Sequence, residues 1–186
     1  MREWTEVNSL NLCLTQKPDE PLRNKKWFPC ASGGKFRKWY GNQNLVVDYE
    51  KKGKNIELYA EKNGNSFGFN GKKYYFSRSI TWPKLTSSFN SFRSTPEGNI
   101  FDGVGLAAFF GSESNYYDAL ALLNSNIYKE FIAVLAPTLS FTSGDFLKLP
   151  FVNVNCEYEV KELLHIHKDD CDSSEMSFNF VKNNLV

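Results

Sequence analysis

The sequence lacks any long apolar run and any leader-like N-terminus. No stretch approaches the roughly 20 apolar residues that cross a bilayer as a helix, and the first ten residues, MREWTEVNSL, contain neither a basic nor an apolar segment. We therefore expect a soluble, cytoplasmic protein that neither crosses a membrane nor is secreted. The chain has 186 residues, 41% hydrophobic and 16% aromatic, which suffices for one domain with a substantial core.

Metal-binding and redox residues are also scarce. The four cysteines, at positions 13, 30, 156 and 171, are never two to four residues apart, which excludes zinc-finger spacing and a redox pair. The only histidines, His165 and His167, would point to different sides of a helix. The sequence therefore predicts reduced thiols and no metal site.

Catalytic motifs are incomplete or missing. FDGVGLAAFF at 101–110 partly matches the Gly-x-Gly pattern of a nucleotide or S-adenosylmethionine loop. It lacks the third glycine and the helix that follows such loops. PD at 18–19 and EKK at 50–52 match a magnesium-nuclease pattern too loosely to distinguish it from a solvated charge run. No Pro-Pro pair is present to grip a flipped adenine. We predict no catalytic residue and no cofactor in this chain.

Charge, by contrast, is plentiful and unevenly distributed. The net charge is only +1, yet residues 23–84 carry fourteen basic and four acidic side chains, a net +10. Residues 97–186 carry five lysines and thirteen acidic side chains, a net −8. Such asymmetry is expected when one face of a protein meets a polyanion and another meets protein or solvent.

Hydrophobic patterning predicts a strand-rich part in residues 27–110. Short aromatic and β-branched runs alternate there with Gly, Asn, Lys and Pro clusters, which is typical of about five to seven short strands. The runs are LVVDY, NIELYA, KKYYF, SITW, SFRST and NIFDGV. The glycine- and asparagine-rich stretch 61–72 predicts a long, mobile hairpin loop.

Two amphipathic helices are predicted after the strands. The first spans 115–135, with Asn115 as its cap, Asp118 in its first turn and Pro137 just beyond its end. Its apolar face comprises Leu120, Leu123, Ile127, Phe131 and Val134. The second runs from Glu157 to Lys168, with Val160, Leu163, Leu164 and His167 on one side.

These patterns predict an α+β fold in which short, twisted, mostly antiparallel strands precede two amphipathic helices. We divide the chain into a leading segment at 1–22, a recognition part at 23–150 and a C-terminal helix with an acidic tail at 152–186. Residues 138–151, at the end of the recognition part, are predicted to be extended.

GGKFRKWYGN, residues 33–42, is the most distinctive stretch, because cationic and aromatic side chains alternate directly after flexible glycines. Arginine can bind guanine, and asparagine adenine, through two hydrogen bonds, whereas lysine suits phosphates. Strand alternation would divide the side chains between two faces. We therefore predict a recognition strand in which Lys35 and Arg37 read DNA and part of the aromatic set lies in the core. The full predicted DNA-binding set is Lys35, Arg37, Lys38, Trp39, Tyr40, Asn42, Arg78, Lys84 and Arg93.

Four stretches resemble one family over nearly the whole chain. They are GGKFRKWYGN with the following LVVDYE, SITWPKLTSSFNSFRSTPEGNIFDGVG, LALLNSNIYKEFIAVLAPTLSFTSGDFLKLPF, and HKDDCDSSEMSFNF. They are similar to the C-terminal part of the large adenine-specific DNA methyltransferase of BREX phage-defence systems, and more distantly to type IIG restriction-modification enzymes. Cys171 stands where that family usually has tryptophan, a departure that concerns the packing of the tail.

The resemblance implies a target recognition domain that docks on double-stranded DNA beside a methyltransferase core, in cis or in trans. It also implies that the S-adenosylmethionine loop and the catalytic motif of the family lie upstream, so the chain alone would not be an enzyme. A protein-interaction or regulatory fragment that docks on a methyltransferase or another defence subunit remains the alternative. A stand-alone RNA-binding domain is disfavoured because none of its characteristic motifs is present.

Overall fold

The computed structural model describes residues 1–64, 71–87 and 89–183. In these ranges the strands are β1 Arg2–Glu3, β2 Trp27–Ala31, β3 Leu45–Asp48, β4 Ser79–Pro83, β5 Arg93–Thr95, β6 Ile100–Phe101 and β7 Gly105–Ala108. The α-helices are α1 Lys54–Lys62, α2 Glu113–Asn124, α3 Asn126–Leu135, α4 Ser143–Phe146 and α5 Glu157–Asp172. The predicted α+β class is confirmed.

The strands form two small sheets. One has the order β1-β3-β2-β6 and the other the order β5-β4-β7. All pairings are antiparallel except that of β2 with β6. Four predicted runs, LVVDY, SITW, SFRST and NIFDGV, contain strands, because each combines β-branched or aromatic residues with a flanking turn.

Two predicted strands are wrong. NIELYA lies within α1, and KKYYF begins with a 3-10 turn at Lys72–Tyr74. Lys, Glu, Leu and Ala are good helix formers, and a run of six residues is too short for its period to distinguish a helix from a strand. Of the loop predicted at 61–72, Glu61 and Lys62 end α1, whereas residues 65–70 lie outside the described residues.

The helix predicted at 115–135 is in fact two helices. Ser112, rather than Asn115, caps α2, because its side chain accepts a hydrogen bond from the Asn115 amide at 3.3 Å. Ser125 then interrupts the helix with extended backbone angles, φ −74° and ψ 158°. The second predicted helix is present as α5, where Val160 is buried and Leu164 packs against the core.

The segment predicted to be extended at 138–151 contains the short helix α4. Thr142 caps this helix: its hydroxyl accepts from the Asp145 amide, and its own amide donates to the Asp145 carboxylate, which closes a capping box. Tyr128 donates a hydrogen bond to the Pro150 carbonyl and thereby holds the end of the segment on α3. Among the described residues, no helix is both long and apolar enough to cross a membrane.

Each sheet has its own core. The β5-β4-β7 sheet packs against α2, α3 and α5 around Trp82, Phe92 and Leu120. The β1-β3-β2-β6 sheet packs around Phe28 and Tyr49, with neighbouring aromatic rings that meet edge to face. Residues 33–42, which we call the basic loop, connect β2 and β3 of the β1-β3-β2-β6 sheet. Trp39 within this loop nevertheless packs against the core of the β5-β4-β7 sheet, which we call the first core. The loop therefore lies where the two cores meet.

Candidate nucleic-acid interface

The basic loop is not a strand, so the predicted recognition strand is wrong. Within the part of the chain that the structure describes, its ladder contact is an isolated parallel bridge between Trp39 and Arg93. Gly34, Trp39, Gly41 and Asn42 all have positive φ, at 96°, 68°, 129° and 56°. Such left-handed residues break the two-residue alternation of a strand. The local turns therefore set the direction of each side chain in the loop, and the side chains do not alternate between two faces.

The Arg93 side chain fixes the backbone at the start of the loop. It lies in β5 and is only 2% exposed. One guanidinium nitrogen donates to the Gly33 carbonyl at 2.8 Å and to the Ser32 carbonyl at 3.5 Å, while the other donates to the Lys35 carbonyl at 3.4 Å. Burial lowers the pKa of Arg93 to about 10, so the group stays charged at neutral pH. Arg93 was predicted to contact DNA, but the structure makes it a support for the loop because its charge is not at the surface.

Three further residues of the predicted DNA-binding set hold the loop in place within the protein. The Trp39 amide donates to the Phe92 carbonyl at 2.9 Å, and the ring of Trp39 lies 6.4 Å from that of His167. Tyr40 is buried, and this burial raises the pKa of its hydroxyl. The Asn42 side-chain amide donates to the Lys35 carbonyl at 2.8 Å, which closes the loop on itself.

Lys35, Phe36 and Arg37 form the outward tip of the loop. Lys35 is exposed, and Phe36 is 52% exposed although it is aromatic. The Arg37 guanidinium lies 3.6 Å from Asp170 in α5, and both side chains remain open to solvent. Such an exposed pair contributes little to stability and can exchange its partner for a phosphate or a base edge.

Gly41 allows the Arg37 side chain to lie across the loop. A Cβ at position 41 would sit 2.2 Å from Arg37 Cδ, and the φ of 129° favours glycine independently. The neighbouring Lys38 turns the other way, and its ammonium donates to the Asn124 carbonyl at the C-terminus of α2 at 2.7 Å. Lys38 therefore caps a helix in this structure.

Of the two remaining predicted cations, Arg78 packs against neighbouring side chains and Lys84 is exposed. Arg78 pairs with Glu113 at 2.9 Å and stacks 4.3 Å above the Tyr116 ring. Burial alone would lower the pKa of Arg78, but Tyr116, Tyr117 and Glu113 raise it overall. Arg78 is thus engaged in packing of the first core. Lys84 is exposed and follows Pro83, beside which Gly33 of the loop is packed.

Two clefts flank the tip of the basic loop. The first, which we call the amide cleft, has a volume of about 350 Å³ and is lined by Lys35, Arg37, Asn42, Gln43, Asn44 and residues of the 174–179 segment. The second, which we call the aromatic cleft, has about 380 Å³ and is lined by Phe36, Phe89, Asn90 and Lys129, among others. Phe36 lines both clefts.

Sequence reasoning missed Phe89, Asn90 and Lys129. They come from the segment before β5 and from α3, whereas Phe36 comes from the basic loop. No local pattern links positions this far apart along the chain, so only the tertiary fold brings them together.

The FDGVG segment is a turn between β6 and β7. The Asp102 carboxylate accepts hydrogen bonds from the Ser32 hydroxyl at 2.7 Å and from the Val104 and Gly105 amides at 2.9 and 2.6 Å. The turn leads into strand β7 rather than a helix. The turn therefore lacks the helix N-terminus that nucleotide-binding loops place behind their glycines. Over the described ranges, no group of three or more His, Cys, Asp and Glu side chains could hold a metal ion.

The fold and the loop together define an α+β module that presents a supported tip of two cations and one aromatic ring beside two clefts. No protein-family model matches the chain. Over its whole length it is 33% identical to part of the adenine-specific methyltransferase PglX of Lacticaseibacillus casei (strain Zhang), of which it covers 16%. It is likewise 35% identical to part of the adenine-specific methyltransferase BrxX of Escherichia coli O9:H4 (strain HS), of which it covers 15%.

The predicted resemblance to these methyltransferases is thereby confirmed, and it extends along the complete chain. The chain spans about a sixth of the length of the curated relatives it matches.

Proposed function

We propose that this chain is the DNA-sequence-recognition segment of an adenine-specific DNA methyltransferase in a phage-defence system. The observation that carries the proposal is the tip of the basic loop. Lys35, Phe36 and Arg37 project to solvent there from a backbone that a buried arginine holds in place. Cations suit phosphates and guanine, and a supported backbone limits the conformational entropy lost on binding.

In this proposal, catalysis belongs to another part of the methyltransferase. The methyl donor S-adenosylmethionine would be held by that core, and the present chain would orient the core on double-stranded DNA. Arg37 would exchange its solvent-exposed partner Asp170 for DNA on binding. The candidates for direct contact are Lys35, Arg37 and Lys84 from the predicted set, together with Phe36, which the structure adds.

Fluorescence anisotropy with labelled duplex DNA tests the proposal. We expect binding that is about micromolar or weaker and that falls steeply as salt increases, because phosphate contacts release counterions. The double variant Lys35→Glu with Arg37→Glu should bind at least about tenfold more weakly.

The matched control is Lys54→Glu with Lys62→Glu, which makes the same charge change on the exposed surface of α1. This control should retain most of the affinity. Salt-independent binding, no binding even at low salt, or an equal loss in both double variants would contradict the proposal.

A second candidate is a docking fragment, and one observation favours it. The outward face of α3 carries Ile127, Phe131 and Val134, which are exposed although they are apolar. Because the relatives are about six times longer than this chain, the rest of such a methyltransferase is the partner that this face would fit. If the charge reversal in the basic loop leaves DNA affinity unchanged while Val134→Asp abolishes binding to that core, the docking function is the correct one.

A further inference from the structure

The aromatic cleft carries an inference of its own. Its lining includes the apolar residues Leu123, Ile132 and Ala133, together with Phe36, Phe89 and two lysines. A volume of about 380 Å³ lies within the usual size of small-ligand sites. The cleft adjoins the tip of the basic loop directly, because Phe36 belongs to both.

Two exposed phenylalanines give the rim flat apolar surfaces. Phe36 is 52% exposed and Phe89 is 58% exposed. The Lys129 ammonium lies 3.7 Å from the centre of the Phe89 ring, which fixes the ring against α3 by a cation–π contact. Aromatic side chains presented in this way are the usual platform on which nucleobases stack.

Asn90 adds an unsatisfied acceptor to the wall. Its side-chain oxygen is buried and has no hydrogen-bond partner within the described structure. A buried carbonyl oxygen without a donor is unfavourable, so a rotation of the Asn90 side chain that turns this oxygen into the cleft, where a ligand can donate to it, would be stabilising. Every nucleobase offers at least one N–H donor on its Watson–Crick edge, and proteins read extruded bases through that edge.

The cations favour a nucleotide over an apolar peptide side chain. Lys38 and Lys129 line the cleft, and their ammonium groups are suited to the phosphates on either side of an extruded base. An apolar side chain would leave the Asn90 oxygen without a partner and would add no anion for the two ammonium groups, which here contact the Asn124 carbonyl and the Phe89 ring.

We propose that the aromatic cleft receives one unpaired nucleobase from the DNA that the basic loop contacts, an inference that rests on the proposed function. The base stacks against Phe89 and Phe36, its Watson–Crick edge donates to Asn90, and its flanking phosphates lie near Lys38 and Lys129.

The test compares two labelled duplexes of equal length, one fully paired and one with a single bulged adenine, by fluorescence anisotropy at fixed salt. Wild-type protein should bind the bulged duplex about tenfold more tightly than the paired one. Phe89→Ala should abolish that preference and leave the affinity for the paired duplex unchanged. Tyr59→Ala, which removes an aromatic ring that is 72% exposed on α1, should retain the preference.

Asn90→Leu provides a second variant, and it removes an oxygen that has no hydrogen-bond partner in the described structure. It should reduce the preference for the bulge while the thermal midpoint is unchanged or raised. Normal binding of the paired duplex without any bulge preference would overturn this inference and leave the proposed function intact. A preference that survives both variants would also overturn it. If neither duplex binds, the proposed function fails as well.

Discussion

Arg93 is a charge placed where charges are costly. It is 2% exposed, and its acceptors are the backbone carbonyls of Ser32, Gly33 and Lys35. Burial disfavours a guanidinium, but a planar fork with five donors can satisfy several carbonyls at once. The side chain thereby fixes the backbone that leads to Lys35 and Arg37. Its contribution to binding is indirect, through the geometry of the loop.

We expect Arg93→Lys to reduce the free energy of unfolding by about 2 kcal/mol, because a single ammonium cannot reach carbonyls on both sides of the fork. Affinity for duplex DNA should fall as well, since the loop tip loses its support. Urea unfolding and anisotropy measure the two effects. Arg23→Lys is the control, because Arg23 is exposed and pairs only loosely with Glu20 at 3.5 Å. Equal stability of the two variants would show that Arg93 does not hold the loop.

At the scale of elements, Ser125 decides how the helical region faces the core. Its hydroxyl donates to the Leu122 carbonyl at 2.7 Å and accepts from the Tyr128 amide at 3.2 Å. Ser125 is thus both the C-cap of α2 and the N-cap of α3. Because the chain changes direction here, Tyr128 and Ile132 face inward on α3, whereas the predicted apolar residues Ile127, Phe131 and Val134 face outward.

This rotation gives a direct prediction. Ile132→Asp should destabilise the protein by more than about 3 kcal/mol, because it places an unpaired charge in the first core. Val134→Asp should change the free energy of unfolding by less than about 0.5 kcal/mol, since Val134 is 80% exposed. Urea unfolding monitored by circular dichroism measures both. If Val134→Asp were instead the more destabilising variant, the apolar face predicted from the sequence, with Val134 toward the core, would be the correct one.

At the scale of the whole molecule, Asp118 in α2 and Trp4 near the N-terminus hold the C-terminal part of the chain in place. Asp118 is fully buried in α2, and its carboxylate accepts hydrogen bonds from the Val154 and Cys156 amides at 3.1 and 3.2 Å. These bonds set the position from which α5 starts. At the other end of α5, the Trp4 indole donates to the Met176 carbonyl at 3.0 Å and its ring packs on Phe178. The C-terminal segment is therefore tied to both α2 and the N-terminus.

Asp118 also makes stability depend on pH. Burial by itself would raise the pKa of this carboxyl, but the hydrogen bonds from Cys156, Asn155 and Val154 hold it below its ordinary value. A lowered pKa in the folded state means that the ionised form stabilises the fold. That contribution is complete above the ordinary carboxyl pKa of about 3.9 and is lost as the pH falls through the lowered value.

Asp118→Asn should therefore reduce the free energy of unfolding by about 2 kcal/mol at pH 7, since charged acceptors form the stronger hydrogen bonds. The difference between wild type and variant should stay constant from pH 7 to pH 5 and shrink below about pH 4. Urea unfolding at several pH values measures it. A difference that persists unchanged at the lowest pH would mean that packing, rather than ionisation, accounts for the role of Asp118.

The sequence by itself determined the fold class, four of the strand runs, α5 and the family resemblance. These depend on local information: β-branched and aromatic runs between turns, three- and four-residue apolar spacing over residues 157–168 in α5, and a linear order of motifs. Where local information was ambiguous, the prediction failed. The run in α1 was too short to show its period, and the serine that divides α2 from α3 gives a weaker signal than proline or glycine.

The tertiary structure alone decided what the basic loop can do. Residue types in GGKFRKWYGN indicated a nucleic-acid partner, but exposure is set by neighbours that are distant in sequence. Arg93 and Tyr40 are buried, Lys38 caps α2, and Lys35 with Arg37 is left at the surface. The aromatic cleft has the same origin, because Phe36, Phe89 and Lys129 meet only after two cores have packed against each other. Burial and proximity between distant residues are properties of the packed chain, and no local pattern encodes them.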